Sequence, residues 1–340
     1  MAAWSAADMP DLTGRTALVT GATSGLGLVT ATELARHGAR VLLGSRDPDK
    51  GARARTAVAA TAGGAEPELL ALDLADLASV RAGAAAALDR TGGTLDILVN
   101  NAGVMAPPLR FTVDGFESQW GTNHLGHAAL TWLLYPALAA RPGSRVVTVS
   151  SLAHRRGAIV PTDLDDTSRG ERYSPWGSYA LSKLANLLFA VELDRRLRAQ
   201  PGPVSVASVA AHPGFSSTGL VPAMMAHAPP IARTVMSSST RLLGQSASAG
   251  ALPQLYAAVA PAVVSGRFYG PRGLGQVRGA PAEVRAAAAA NESWAAGVWA
   301  LTAEQTGVDP VPVLPPDPAP TRPPDPMDGH NPESGVPSQQ

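Results

Sequence analysis

The sequence predicts an α/β fold: a doubly wound parallel sheet with helices on both faces, built as a single domain. Three observations predict it. Short, continuously apolar runs recur along the chain, an alanine-rich helical pattern follows most of them, and a glycine-rich turn stands directly between the first run and the first helix. Runs that do not alternate polar with apolar residues suit strands buried on both faces, as in a parallel sheet sandwiched by helices. Right-handed crossovers then leave ligand sites at the carboxyl ends of the strands.

The elements follow in order. Residues 16–20 (TALVT) are the first strand, and a helix over 25–37 has Gly38 as its stop signal. A second run at 41–43 leads through Ser45, Arg46 and Asp47 into an alanine–arginine helix ending near residue 60. Further strands are expected at 69–72, 95–99, 146–149 and 204–210, separated by helical segments at 77–88, 116–140 and 178–198. Two regions break this rhythm. Residues 155–177 are polar with few apolar anchors, and a connection of that length inside a domain is usually functional or mobile. Residues 309–340 hold 11 prolines, no aromatic residue and one positive charge against five negative; they read as a disordered tail.

Composition narrows the function. With 340 residues, 45% of them hydrophobic, the chain can bury a sizeable core. Its 27 basic and 27 acidic residues balance, which offers no case for nucleic acid or an anionic membrane. Without the tail the balance is 26 to 22, still too mild. The absence of cysteine excludes disulfides, thiolate–zinc and iron–sulfur sites, and a cysteine nucleophile. The first 14 residues lack the basic start and apolar run of a signal peptide, and no stretch reaches about 18 uncharged apolar residues. No membrane span is therefore expected, and the cytoplasm is the expected compartment. Only two of the 27 basic residues are lysines, Lys50 and Lys183.

Residues 20–27 (TGATSGLG) follow a strand and open a helix. Gly21 permits a tight turn, Gly25 lets the backbone approach a pyrophosphate, and Gly27 lets helix and strand pack closely. The helix N-terminus then offers unpaired N–H groups and a positive dipole end to phosphates. The spacing is GxxxGxG rather than the common GxGxxG.

A second motif is Tyr179-Ala180-Leu181-Ser182-Lys183. Residues i and i+4 share a helix face, so phenol and ammonium sit about one turn apart. A free tyrosine, with a pKa near 10, is a poor base at neutral pH. A nearby lysine cation is expected to lower that value and make Tyr179 an acid/base catalyst near pH 7.

Taken together, these residues resemble the short-chain dehydrogenases/reductases over most of residues 12–308. The likeness rests on TGATSGLG, Asp73-Leu74 after the third strand, NNAG at 100–103 and Asn123 in NHLG. It continues through Ser151 in VSS, YALSK at 179–183, and HPG at 212–214 followed by Thr218. The stretches RVVTVSSLAHRRG and RYSPWGSYALSKLAN, with SGRFYGP and ESWAAGVW further on, resemble the branch holding retinol dehydrogenases, the WW-domain oxidoreductase and protochlorophyllide reductase. The last of these is marked by a catalytic-site cysteine, which this chain lacks.

The resemblance implies a Rossmann-type domain over 14–308, an N-terminal arm at 1–13, and a substrate lid at about 215–244. It also implies roles. Tyr179 would protonate the alkoxide as hydride reaches a carbonyl, or deprotonate the alcohol in reverse. Ser151 would hydrogen-bond the substrate oxygen. Ser150 is its rival, and the residues alone do not separate the two. Lys183 would depress the Tyr179 pKa and hold the nicotinamide ribose hydroxyls. Asn123 would bend a helix and hold a water linking Lys183 to solvent, while its bland reading is a buried amide tying backbone together.

Around the cofactor the resemblance places Gly21, Thr23, Ser24, Gly25, Leu26 and Gly27 at the phosphates, and Asp73 with Leu74 near the adenine. Asn101, Ala102, Gly103, Pro213, Gly214 and Thr218 follow along it, with Tyr179 and Lys183 at the nicotinamide end. The second strand ends in Gly44-Ser45-Arg46, without the acidic residue that NAD-preferring members carry. Arg46 can pair with a 2′-phosphate and Ser45 adds a hydroxyl, so NADP is expected over NAD. No second basic residue stands at Thr23 or Ser24, and Lys50 reads as a solvated helix residue.

No metal site is expected, because His124, His127, His154 and His212 lack ligand spacing. Tyr173 and Trp176 could border the substrate mouth. The lid segment carries Leu220, Val221, Met224, Met225, Ile231, Val235 and Met236, which suit either an adaptable apolar pocket or a helix over the core. The expected function is an NADP(H)-dependent oxidoreductase acting on the carbonyl or alcohol of a lipophilic small molecule. A ketoreductase of secondary metabolism and a non-catalytic NADP-binding scaffold are the alternatives. Family members often pair through helices matching 116–140 and 178–198, while monomers occur in the branch this chain resembles, so a homodimer and a monomer both stay open.

Overall fold

The structure, a computed structural model, describes residues 3–157, 170–171, 173–202, 205–215, 245–286 and 291–309. Strand β1 (Thr16–Thr20) lies inside the sheet, and its side chains divide between two cores with the two-residue period of a strand. Ala17 and Val19 join one apolar cluster and Leu18 the other. The same division holds for β2 (Arg40–Ser45), where Val41 and Leu43 face one way and Leu42 the other. A strand buried on both faces reads as an unbroken apolar run.

The remaining strands are β3 (Glu68–Ala71), β4 (Ile97–Asn100), β5 (Ser144–Val149), β6 (Val206–Ala211), β7 (Phe268–Pro271) and β8 (Pro281–Glu283). Among the described residues they form one eight-stranded sheet in the order β3-β2-β1-β4-β5-β6-β7-β8. All neighbours are parallel except β7 and β8, which close the edge antiparallel. The winding direction reverses between β1 and β4, which opens a crevice beyond their carboxyl ends.

The helices start and stop on local signals. α1 (Gly25–Arg36) ends before Gly38, whose φ of 95° suits glycine. α2 (Pro48–Ala59) is capped by Asp47, which accepts from the Lys50 N–H at 2.9 Å, with proline in the first turn. Asp76 caps α3 (Leu77–Thr91) through the Ala78 and Ser79 N–H groups. The helix expected over 116–140 is interrupted. A short α4 (Ser118–Trp120) runs into a π turn (Gly121–Leu125) and then into α5 (Gly126–Ala139). α6 (Pro175–Ala199) carries the tyrosine–lysine motif, and α7 (Ala247–Val259) and α8 (Glu292–Thr306) complete the helical layers.

The N-terminal arm belongs to the packed body. Met9 and Leu12 are buried, and Trp4 meets Tyr256 edge-on at 5.2 Å. The last helix, α8, lies across α5 and α6, where Trp299 packs 4.9 Å from Trp132 and stacks on Phe189 at 5.3 Å. Most of the polar connection (158–169, 172), nearly all of the lid segment (216–244) and the proline-rich tail (310–340) lie outside the described residues. The two ends flanking the lid segment meet, since the Gln245 N–H donates to the Phe215 carbonyl at 3.0 Å. Among the described residues no helix is long and apolar enough to cross a membrane.

Candidate active site

The glycine turn is held by backbone contact. Gly21 has φ of 63°, in the left-handed region. A Cβ on Gly27 would stand 2.3 Å from the Gly21 carbonyl oxygen and 2.4 Å from Asn101 Nδ2, so only glycine lets α1 approach this closely. Asn101 locks the turn from the other side, its Nδ2 donating to the Thr20 carbonyl at 2.9 Å. Ser24 precedes α1 without capping it by its side chain, which leaves the first-turn N–H groups directed outward.

A cleft of about 400 Å³ opens at this turn. Of the residues expected around a cofactor it is lined by Gly21, Thr23, Ser24, Gly25, Leu26, Gly27, Ser45, Arg46, Asp73, Leu74, Asn101, Ala102 and Gly103. Pro213 and Gly214 lie outside that lining, at the carboxyl end of β6, where the Gly214 N–H donates to His212 Nδ1 at 3.1 Å. Thr218 is outside the described residues. The cleft also takes in Thr20, Val104, Thr122 and Lys50.

Lys50, expected as a solvated helix residue, is exposed, and it also borders the cleft. It sits in the first turn of α2, so the chain turning from β2 into that helix brings it to the cleft beside Arg46. Asp47 lines the cleft too, but its carboxylate is engaged by the Lys50 N–H and by Lys50 Nζ at 3.2 Å.

Beyond the cleft, α6 and the end of β5 bring Ser151, Tyr179 and Lys183 together. The Ser151 hydroxyl stands close enough to the Tyr179 phenol to lower its pKa. Ser150 turns the other way and donates to the Lys183 carbonyl at 2.7 Å, buried. Ser151 is thus the serine that faces the phenol, a distinction the residues alone left open. Lys183 Nζ donates to the Val149 carbonyl at 3.0 Å and lies 6.0 Å from the centre of the Tyr179 ring.

The expected lowering of the Tyr179 pKa does not hold here. Burial pushes the phenol up, and the offset comes from the Ser151 hydroxyl rather than from the ammonium, which is directed at Val149. Burial also pulls Lys183 down to about 8.

Asn123 sits in the π turn, the bend expected at this residue. Its side chain ties backbone together: Oδ1 accepts from the Val104 N–H at 2.8 Å and Nδ2 donates to the Val104 carbonyl at 2.9 Å. Nδ2 also donates to Ser182 on α6 at 3.0 Å. The Asn123 carbonyl accepts from His127 Nδ1 at 2.9 Å, and His127 Nε2 meets Thr20 Oγ1 at 2.8 Å. This chain of contacts joins the π turn to the glycine turn. Burial holds His127 neutral, with a pKa of about 3.

Trp176 is half exposed and edge-on to Tyr179 at 6.3 Å, at the mouth. Tyr173 instead donates its hydroxyl to the Pro107 carbonyl. Among the described residues no group of three or more His, Asp or Glu is placed to hold a metal.

Residues 15–163 match the short chain dehydrogenase family. The chain is 43% identical over 266 residues to the polyprenol dehydrogenase of Mus musculus, covering 76% of each chain. It is 39% identical over 298 residues to retinol dehydrogenase 13 of Homo sapiens, covering 87% of this chain and 86% of that one. The chain belongs to the short-chain dehydrogenases/reductases. Its fold agrees with that of an uncharacterised protein from Mycobacterium paratuberculosis, with a TM-score of 0.73 and 44% identity over 91% of this chain and 99% of the other. A short-chain dehydrogenase/reductase is an oxidoreductase that works on CH–OH or C=O groups with a nicotinamide cofactor. The residues present fit such a group, since the glycine turn leaves no room for a side chain where α1 presents its free N–H groups to the cleft.

Proposed function

We propose that this protein is an NADP(H)-dependent oxidoreductase that interconverts the carbonyl and alcohol of a lipophilic small molecule. The observation that carries the reading is one line of residues. Arg46 and Lys50 stand at the cleft near the end of β2, the glycine turn lines it, and Ser151, Tyr179 and Lys183 meet beyond it. Bound along that line, the nicotinamide would supply or accept hydride.

The chain's own residues divide the remaining work. The N–H groups of the first turn of α1 hold phosphate oxygens. Arg46, with Lys50 beside it, takes the 2′-phosphate, while Asp47 is engaged as a helix cap and does not compete for a ribose hydroxyl. Tyr179 keeps its proton at neutral pH because it is buried, which suits delivery of that proton to a carbonyl oxygen during reduction. Ser151 orients the phenol and donates to the same oxygen as negative charge develops. Lys183, with its ammonium held at Val149, keeps two N–H groups for the ribose. Asn123 holds the loop at Val104 in place.

A lipophilic substrate is supported by the names of the two relatives, a polyprenol and a retinol dehydrogenase, and by exposed Trp176, Leu109 and Phe111. A homodimer through α5 and α6 would have to accommodate α8, which packs against both helices. The test is NADPH oxidation against a panel of apolar ketones, aldehydes and enones, with NADH in parallel. Turnover of at least one apolar carbonyl, faster with NADPH, is expected. Turnover confined to NADH would overturn the cofactor assignment.

A further inference from the structure

The helix α8 comes from the far end of the described chain, yet a buried path runs from it to Lys183. Trp299 fixes its register, stacked on Phe189, edge-on to Trp132 and covered by the Arg196 guanidinium 4.4 Å from the ring centre. The end of α8 is clamped by Arg81, which donates to the Thr306 and Gly307 carbonyls at 2.9 Å each. This register brings Thr302, which is fully buried, to the π turn beside Asn123.

From Thr302 the contacts continue without a gap. Thr302 Oγ1 lies 2.7 Å from His124 Nε2, and His124 Nδ1 lies 3.2 Å from Asn186 Oδ1. Asn186 Nδ2 donates to the Val149 carbonyl at 3.2 Å, the same oxygen that accepts from Lys183 Nζ at 3.0 Å. Donor accounting sets the directions. Asn186 uses its N–H on Val149, so its Oδ1 calls for the proton on His124 Nδ1. His124 Nε2 then accepts from the Thr302 hydroxyl, which is shared with the Val298 carbonyl at 2.6 Å. His124 is buried and neutral, with a pKa of about 4. The titratable groups facing Nζ are Tyr179 on its own helix and the neutral His127 on α5.

We propose that Thr302 is a positioning residue for Lys183, acting through His124, Asn186 and the Val149 carbonyl. The inference rests on the reading of Lys183 as the lysine of the reaction. One carbonyl oxygen is shared between an amide and an ammonium. Whatever holds the amide therefore sets how much of that oxygen the ammonium receives and where its remaining N–H groups point. A bare packing role for α8 would need only its tryptophan.

The experiment uses the full chain labelled with [ε-13C]lysine, which gives two side-chain signals because the sequence holds two lysines. Lys183 should titrate near 8, and exposed Lys50 serves as the internal control. In Thr302→Val, the loosened Asn186 cedes Val149 to the ammonium, so the Lys183 midpoint should rise by about half a unit or more. Thr302→Ser should restore it, and Lys50 should not move. If Thr302→Val fails to fold, Asn186→Leu asks the same question from the other end and should raise the midpoint further. A folded variant of either kind with an unchanged Lys183 midpoint overturns the proposal. The titration needs neither cofactor nor substrate, so its failure would leave the proposed reaction standing. A failed turnover screen would likewise leave the titration standing.

Discussion

The glycine-turn end of the site and the tyrosine end are built from different materials. At the glycine turn the work falls to backbone N–H groups, absent side chains and the start of α1, all within a few residues of one another. At the tyrosine end it falls to buried side chains drawn from the π turn, α6 and α8, each held by a hydrogen bond to another element, with a backbone carbonyl of β5 where two of them meet. A backbone cradle is specified by local spacing and fails by steric intrusion. A side-chain network is specified by tertiary contact and fails by losing one partner.

Substitutions can break this contrast. Gly27→Ala should have the largest effect, because its Cβ would meet the Gly21 carbonyl and the Asn101 amide with no room to yield. We expect loss of roughly 3 kcal/mol of stability or more, and loss of nicotinamide binding, read by thermal unfolding and by NADPH fluorescence titration. Next comes Arg46→Ala, which should weaken NADPH about 10- to 100-fold and NADH hardly at all. Lys50→Ala should act in the same sense but only about threefold, since Lys50 is exposed and shared with Asp47. Equal losses for the two cofactors would show that neither residue reads the 2′-phosphate.

The tyrosine end should betray itself through pH. Lys183 is charged below about 8, so the rate of reduction should hold at neutral pH and fall as pH rises through that value. A flat profile between pH 7 and 9 would count against its role.

A further effect concerns acid stability. His124 and His127 have folded pKa values of about 4 and about 3, below the usual 6.5, so the unfolded chain takes up protons first as pH falls. Stability from this source is full above 6.5 and declines below it, by on the order of 3 to 5 kcal/mol per group once pH reaches the folded values. A midpoint of urea unfolding that is constant from pH 7 to 4.5 would contradict it.

The same contrast explains what could be read from the sequence. Strands β1 to β6, the glycine turn and the tyrosine–lysine pair were legible because each is a local pattern: an apolar run, a glycine spacing, an i,i+4 pair. The bend at Asn123 was expected from the family likeness, and it takes the form of a π turn. Strands β7 and β8 were not expected, being four and three residues long and proline-bearing, too short to show a period. That exposed Lys50 also borders the cleft depends on the turn from β2 into α2, which is a three-dimensional fact. The choice between Ser150 and Ser151 depended on which hydroxyl faces α6 and which faces the phenol. The Tyr179 pKa depended on where the Lys183 ammonium points, and it points at Val149. The path from Thr302 joins residues more than a hundred positions apart, and no spacing rule reaches that far.

The most direct test of the division between the two ends is Tyr179→Phe, with turnover and NADPH affinity measured on the same preparation. Removing the phenolic proton while leaving the glycine turn and Arg46 in place should lower turnover about 10³-fold and leave the NADPH Kd within about twofold of the parent. Turnover that survives the change, or an NADPH affinity that collapses with it, would contradict the assignment of proton transfer to one end and cofactor binding to the other.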